Sequence, residues 1–216
     1  MKLYNFIIKY RVLFIFITLI TALITHFFAG FWPSFVLYLL FVVLLFSHFF
    51  FGPIRLIQVY MEANEMEKAK KTLESIKYPR LLFKPIRSVY FTLKGSMAMM
   101  DQDYDNAEKH MKKSLDLGLP MKEAEGANKL QLGMLAMQKG NISKAEEYIK
   151  QALKDGVPDK ESKALAFLQL ASIYANKRSF RAAKENFRRA KALNPTTAQT
   201  KDQLKQMDKY FSRLPG

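Results

Sequence analysis

Residues 167–195 read FLQLASIYANKRSFRAAKENFRRAKALNP, and what recurs upstream of them at a fixed interval decides the fold. Ala183 in this stretch is preceded by Ala145, Ala107 and Ala69, each 38 residues apart. On the same ruler Phe187, Ile149, Met111 and Leu73 align, and three residues further Ala190, Ala152, Ser114 and Ile76. Upstream, Ala171, Gly133, Gly95 and Ile57 form another column, and Tyr174, Ala136, Ala98 and Tyr60 a fifth. Small and large residues alternating at spacings of three and four are what two closely packed helices require. A constant period of this length means stacked copies of one supersecondary unit.

The punctuation supports a helix–turn–helix unit. Gly140-Asn141 ends one helix, and Ser143-Lys144-Ala145-Glu146 reads as a capping box opening the next. Asp105-Asn106-Ala107-Glu108 reads the same way with an aspartate cap. Glycine follows helix ends at Leu117-Gly118 and Asp155-Gly156, with Pro120 and Pro158 just beyond. Pro85, Pro120 and Pro158 are expected at first helical positions.

These units resemble tetratricopeptide repeats, whose pattern places W-x2-L-G-x2-Y in a first helix and A-x3-F, then proline, in and after a second. The last unit is the best match, through Phe167, Leu170, Ala171, Tyr174, Ala183, Phe187, Ala190 and Pro195. The two before it keep Gly95 with Ala107 and Gly133 with Ala145, whereas the first is degenerate, with Pro53 and Ile57 at motif positions. The family period is about 34 residues, so the four extra residues here are expected as one added turn on each first helix. The resemblance implies an all-α fold, an α–α solenoid over residues 53–195 in four 38-residue units, closed by a capping helix and tail over 196–216.

Ahead of the repeats the material changes. From Val12 to Ile54, 43 consecutive residues, there is no Asp, Glu, Lys or Arg, while the 162 residues from Arg55 onward carry 31 basic and all 19 acidic side chains. About 20 helical residues cross a bilayer core of about 30 Å, so this stretch must fold back once. Ala29-Gly30-Phe31-Trp32-Pro33 marks the turn. Residues 1–52 are therefore read as a membrane anchor, a transmembrane helical hairpin with spans at about 12–29 and 34–51. A cleaved leader fits less well, because residues 25–30 are too bulky for a small-x-small cleavage site and a second apolar segment follows at once. Lys2, Lys9 and Arg11 before the hairpin, and Arg55, Lys68, Lys70 and Lys71 after it, put both termini in the cytoplasm of a bacterial cell, with the hairpin in its cytoplasmic membrane. His26 and His48 lie within the spans without an acidic partner there and are read as neutral.

Chemistry is sparse. The chain has no cysteine, and no phosphate-binding glycine loop, nucleophile elbow or H-E-x-x-H occurs. His110 stands among Lys109, Lys112 and Lys113, a spacing that makes neither a metal site nor an assisted base. The protein is read as non-enzymatic, with no cofactor and no metal.

In solenoids of the resembled family the first helices line the concave side. The ruler places there Thr92, Ser96 and Met99; Gln131, Met134, Met137 and Gln138; and Gln169, Ser172 and Asn176, with Val89, Met100, Leu130 and Leu168 beside them. None is charged, and methionines among neutral hydrogen-bonding groups suit recognition of a protein or peptide partner. Thr92, Leu130 and Leu168 stand where the family's carboxylate-clamp lysines would be, so that activity is not carried over. The second helices carry Lys112, Lys150 and Arg188 in one column, with Lys113 and Arg189 alongside. This basic face reads first as a solvated convex surface. The alternative is a membrane-tethered module that recruits a ribosome, nucleic acid or anionic lipid, and nucleic acid ranks low because no aromatic interleaving accompanies the charge.

Overall fold

The computed structural model describes residues 10–50 and 52–211, and every regular element among them is helical. The helices are α1 (Arg11–Ala29), α2 (Phe31–Phe50), α3 (Gly52–Glu62), α4 (Met66–Glu74), α5 (Lys84–Met100), α6 (Tyr104–Leu117), α7 (Lys122–Gln138), α8 (Ile142–Asp155), α9 (Lys160–Asn176), α10 (Phe180–Ala192) and α11 (Ala198–Phe211), with a short 3-10 turn at Pro79–Leu81. They form two compact units, Met1–Tyr90 and Phe91–Gly216, whose boundary falls inside α5.

In the first unit α1 and α2 pack on one another, and only Gly30 (φ 82°) interrupts them. The turn is thus shorter than expected: α2 begins at Phe31, three residues before Ser34. Pro33 is accommodated in the first turn, where its missing N–H costs no intrahelical bond. Thr18, Thr21 and Thr25 each donate to the carbonyl four residues earlier at 2.7–2.8 Å, so their hydroxyls serve their own helix rather than its neighbour. Buried Ser34 donates to the Gly30 and Phe31 carbonyls at 2.9 Å and lies 3.4 Å from His26 Nδ1. The span expected to end at Phe51, and Lys2 and Lys9, reach outside the described residues. Helices α3 and α4 form a helix pair with Ile54, Ile57, Ala69 and Leu73 buried. The degenerate opening unit therefore has its first helix as well as its second, although α3 runs only 11 residues.

Left-handed turns mark the 38-residue period as strictly as the alanine column does. Asn64, Gln102, Gly140 and Arg178 have φ of 59°, 60°, 75° and 57°. After each, the next amide reaches back to a first-helix carbonyl: Glu65 to Tyr60, Asp103 to Ala98, Asn141 to Ala136 and Ser179 to Tyr174, at 2.8–2.9 Å. This is the hydrogen-bond pattern that closes a helix and leaves the following residue free to start the next. Second helices end on another such column, Gly118, Gly156 and Asn194, with φ of 76°, 94° and 46°.

Two local readings need correction. The residues that cap α6 and α8 are Asp103, which accepts from the Asn106 amide, and Asn141, which accepts from the Lys144 amide, both at 3.2 Å. Each helix thus opens before the expected capping box, because the left-handed turn delivers the chain in capping geometry two residues earlier. Pro120 and Pro158 precede the capping residues Met121 and Asp159, and of these three prolines only Pro85 sits in a first helical turn. The first helices α5, α7 and α9 run 17 residues against 13 or 14 in α6, α8 and α10, which is where the added turn resides.

The second unit is held by the alanine column. Ala107, Ala145 and Ala183 are fully buried, as are Met111 and Ile149, and Phe187 nearly so. A Cβ on Gly95 would lie 2.7 Å from Met111 Cγ, and one on Gly133 2.5 Å from Ile149 Cγ1. The glycines of the first helices therefore admit the large residues of the second. Helix α11 closes the series: Phe211 stacks on Phe187 with centroids 4.9 Å apart, over Leu204 and Met207. Glu161 of α9 accepts from the backbone amides and hydroxyls of Thr196 and Thr197 just ahead of α11, and these bonds, the Thr196 amide foremost, hold its carboxyl down at about 2.

Candidate protein-binding groove

Within the second unit, positions 131, 134 and 138 of α7 and 169, 172 and 176 of α9 repeat at spacings of three and four, which puts each set on one stripe of its helix. Gln131, Met134, Gln169 and Ser172 are half-buried, and Gln138 and Asn176 are exposed. On α5, Ser96 is half-buried and Met100 exposed at the matching positions. Met100, Gln138 and Asn176 are each the last residue of their helix and form a row of open ends. Ser96 Oγ donates to Gln131 Oε1 at 3.1 Å, tying the α5 and α7 stripes together.

Other expected groove residues are taken up internally. Leu130 and Leu168 are core residues, 4% and 2% exposed. Thr92 Oγ1 lies 2.7 Å from Ser114 Oγ and accepts from Asn128 Nδ2 at 3.3 Å, and the same amide donates to the Met111 carbonyl at 3.3 Å. A buried asparagine on α7 thus links α5 and α6 through its amide nitrogen, whose N–H groups need partners once they leave water. Met99 packs against Ala107, Met111, Leu132 and Leu135, and Met134 and Met137 pack against the cluster around Leu130, Ala145 and Ile149. The methionines fill gaps on their inner side and leave only part of their surface open.

The basic face is not a free one. Lys112 pairs with Glu108 and Lys150 with Glu146, both at 2.6 Å, Arg188 and Arg189 both pair with Glu185, and Lys113 lies 4.3 Å from the Phe91 ring centre. Each of the ion pairs joins residues three or four apart on one helix, the geometry in which opposite charges on a helix meet. Glu108 also takes Lys139, and Glu146 also takes Lys177 and the Tyr174 hydroxyl, so one triad recurs 38 residues on and ties a second helix to the C-terminal end of the next first helix. The lysines, Lys112 and then Lys139 for Glu108, Lys150 and then Lys177 for Glu146, hold each carboxyl down at about 2. His110 stacks on Phe91, and burial, followed by Lys94, Lys109 and Lys113, pushes its pKa below the usual histidine value. No cluster of three potential metal ligands occurs among the described residues. The triads and the Asn128 network escaped sequence reading, although Glu108/Lys112 and Glu146/Lys150 recur on the ruler.

The model of the tetratricopeptide repeat family matches residues 128–154 and 164–197. A chain of the crystal structure of the APC/C hetero-tetramer Cut9-Hcn1 superposes with a TM-score of 0.60 at 19% identity, over 85% of this chain and 34% of that one. This chain thus spans about a third of the length of that relative. BtubC (BKLC) from P. vanneervenii superposes with a TM-score of 0.50 at 16% identity, over 91% of this chain and 81% of that one. No curated protein matches in sequence. Residues 128–154 and 164–197 thus match tetratricopeptide repeats, and the fold is that of a tetratricopeptide-type α-solenoid. Repeats of this kind generally build protein-interaction scaffolds rather than enzymes.

Proposed function

We propose that this chain is a membrane-anchored, non-catalytic adaptor that holds a protein partner on the first-helix face of its repeats, on the cytoplasmic side of the membrane. The observation that carries the reading is the uncharged stripe of Ser96, Gln131, Met134, Gln138, Gln169, Ser172 and Asn176, half-buried to exposed, in a unit whose second helices are densely charged. Such a stripe offers hydrogen bonds and polarizable surface without the cost of stripping water from charges. Residues 1–52 are assigned to the anchor, 53–195 to the repeats and 196–216 to the cap. In support of the anchor, Val12–Ala29 is long and apolar enough to cross a membrane, and only 11% of that window is buried within the protein. A core helix of a soluble protein would be mostly covered. The apolar run Phe31–Phe46 packs against it and is shorter. The reading through the basic face finds less support, because Lys112, Lys150, Arg188 and Arg189 are engaged by carboxylates of their own helices.

The test is co-purification from detergent-solubilised membranes with Met100→Lys, Gln138→Lys and Asn176→Lys combined. All three sites are exposed at helix C-termini, where a cation suits the helix dipole, so the fold is retained. The partner captured by the unaltered chain should be lost. Unchanged capture by a folded triple variant contradicts the groove.

A further inference from the structure

From Ser75 to Met100 the chain has five basic residues, Lys77, Arg80, Lys84, Arg87 and Lys94, and no Asp or Glu. The first part of this stretch is the loop between α4 and α5, in the same compact unit as α1 and α2. Tyr78, Leu81 and Phe83 are 72%, 73% and 64% exposed there, interleaved with exposed Lys77, Arg80 and Lys84. Large apolar side chains this open, in one short loop, need a reason beyond ordinary surface composition.

The exposure belongs to an ordered loop. The 3-10 turn closes through the Leu81 amide on the Tyr78 carbonyl at 3.0 Å and the Leu82 amide on the Pro79 carbonyl at 3.2 Å. Arg87 Nη1 donates to the Arg80 carbonyl at 3.3 Å, and Leu82 turns inward. Leu81 and Phe83 are thereby presented on either side of a buried neighbour. Lys112 and Lys150 of the second helices are paired with carboxylates of their own helices, whereas Lys77, Arg80 and Lys84 enter none of the ion pairs found among the described residues.

We propose that residues 77–84 dock on an anionic bilayer surface, with Tyr78, Leu81 and Phe83 entering the headgroup layer and Lys77, Arg80 and Lys84 meeting lipid phosphates. This inference rests on the membrane-anchor reading, which brings the loop within reach of lipid. Aromatic and aliphatic side chains flanked by cations have the chemistry that partitions into a membrane interface. Cations near an anionic leaflet are attracted over about one Debye length. A second contact beside the hairpin would fix how the first unit sits on the membrane rather than leaving it to swing.

The test uses the full chain, which has no cysteine. Leu81→Cys carries an environment-sensitive fluorophore, and the protein is reconstituted in nanodiscs of phosphatidylglycerol with phosphatidylcholine, or of phosphatidylcholine alone. The label should move to shorter wavelength and be quenched by headgroup-proximal spin-labelled lipid in anionic discs, and much less so in zwitterionic ones. Adding Lys77→Gln, Arg80→Gln and Lys84→Gln should lower the docking equilibrium about a hundredfold, about fivefold for each cation. Tyr78→Ser with Phe83→Ser, both at exposed sites, should weaken docking while leaving the circular dichroism unchanged. A chain that resists alkaline extraction while its label stays in water overturns the loop inference and spares the anchor. A chain stripped by alkali overturns the anchor reading itself. An equal response to heparin over zwitterionic discs overturns lipid as the occupant.

Discussion

Gly126→Ala tests the packing of successive helices at its tightest point. A Cβ built on Gly126 would stand 1.7 Å from the Gly156 carbonyl oxygen, 2.8 Å from its carbon and 2.9 Å from the Ala152 oxygen. All three are backbone atoms, so no rotamer change relieves the overlap. A normal carbon contact needs about 3.5 Å, so the first turn of α7 would have to withdraw from the last turn of α8 by almost 2 Å. Alanine would gain about 1 kcal/mol over glycine in an ordinary helix interior. Overpacking against fixed atoms costs at least the upper end of the usual 1–3 kcal/mol. The balance is a loss of about 2 kcal/mol or more, equivalent to about 6–10 °C in Tm for a unit of this size. Thermal unfolding of the detergent-solubilised chain, followed by helix circular dichroism, reads it directly. A Tm unchanged or raised would refute the close approach of α7 and α8 and the reasoning built on it.

Three more outcomes follow from the same geometry. Arg178→Gly should stabilise the chain by about 0.5 kcal/mol, because relief of about 1–2 kcal/mol of left-handed strain outweighs about 0.5–1 kcal/mol of added chain entropy; urea denaturation would show the midpoint rising. Gly133→Ala combined with Ile149→Ala should be less damaging than the sum of the single changes by about 1–2 kcal/mol, since the new Cβ occupies space vacated by Ile149 Cγ1; additive unfolding energies would contradict the contact. Glu146 is held down at about 2 from an ordinary 4.5 chiefly by Lys150 and then Lys177, so its stabilisation is complete above pH about 4.5 and disappears as the pH falls towards 2. Because both lysines are partly solvated, the effect should be about 1 kcal/mol, and Glu146→Gln should remove that part of the acid-dependent loss. An unchanged stability profile between pH 4.5 and 2 would discount the triad.

Periodicity in small residues made the repeat legible, because close helix packing leaves no choice at Ala107, Ala145, Ala183, Gly95 and Gly133. The left-handed turns were hidden, since Asn64, Gln102 and Arg178 adopt a conformation that glycine alone advertises in sequence. The helix starts at Tyr104 and Ile142 are hidden for the same reason, because the turn that sets them carries no sequence mark at Gln102 and the capping-box pattern points two residues later. Gly126 went unnoticed although its column, Ser88, Gly126 and Ala164, is small throughout and buried. Of the candidate site, the stripe residues could be placed from spacing alone. Thr92, Leu130 and Leu168 could not, because whether a position on a long first helix faces out or into the next unit depends on how successive units stack. The basic column reads as free until Glu108, Glu146 and Glu185, three or four positions earlier on the same helices, are set beside it as partners.

Photo-crosslinking in native membranes tests the adaptor reading most directly, with a photoreactive residue placed in turn at Gln138, at Asn176 and at Glu147, an exposed second-helix site. The account predicts one discrete protein adduct from the two first-helix positions and none from Glu147, in the membrane fraction. Adducts from Glu147 alone, or none from Gln138 and Asn176, would contradict it.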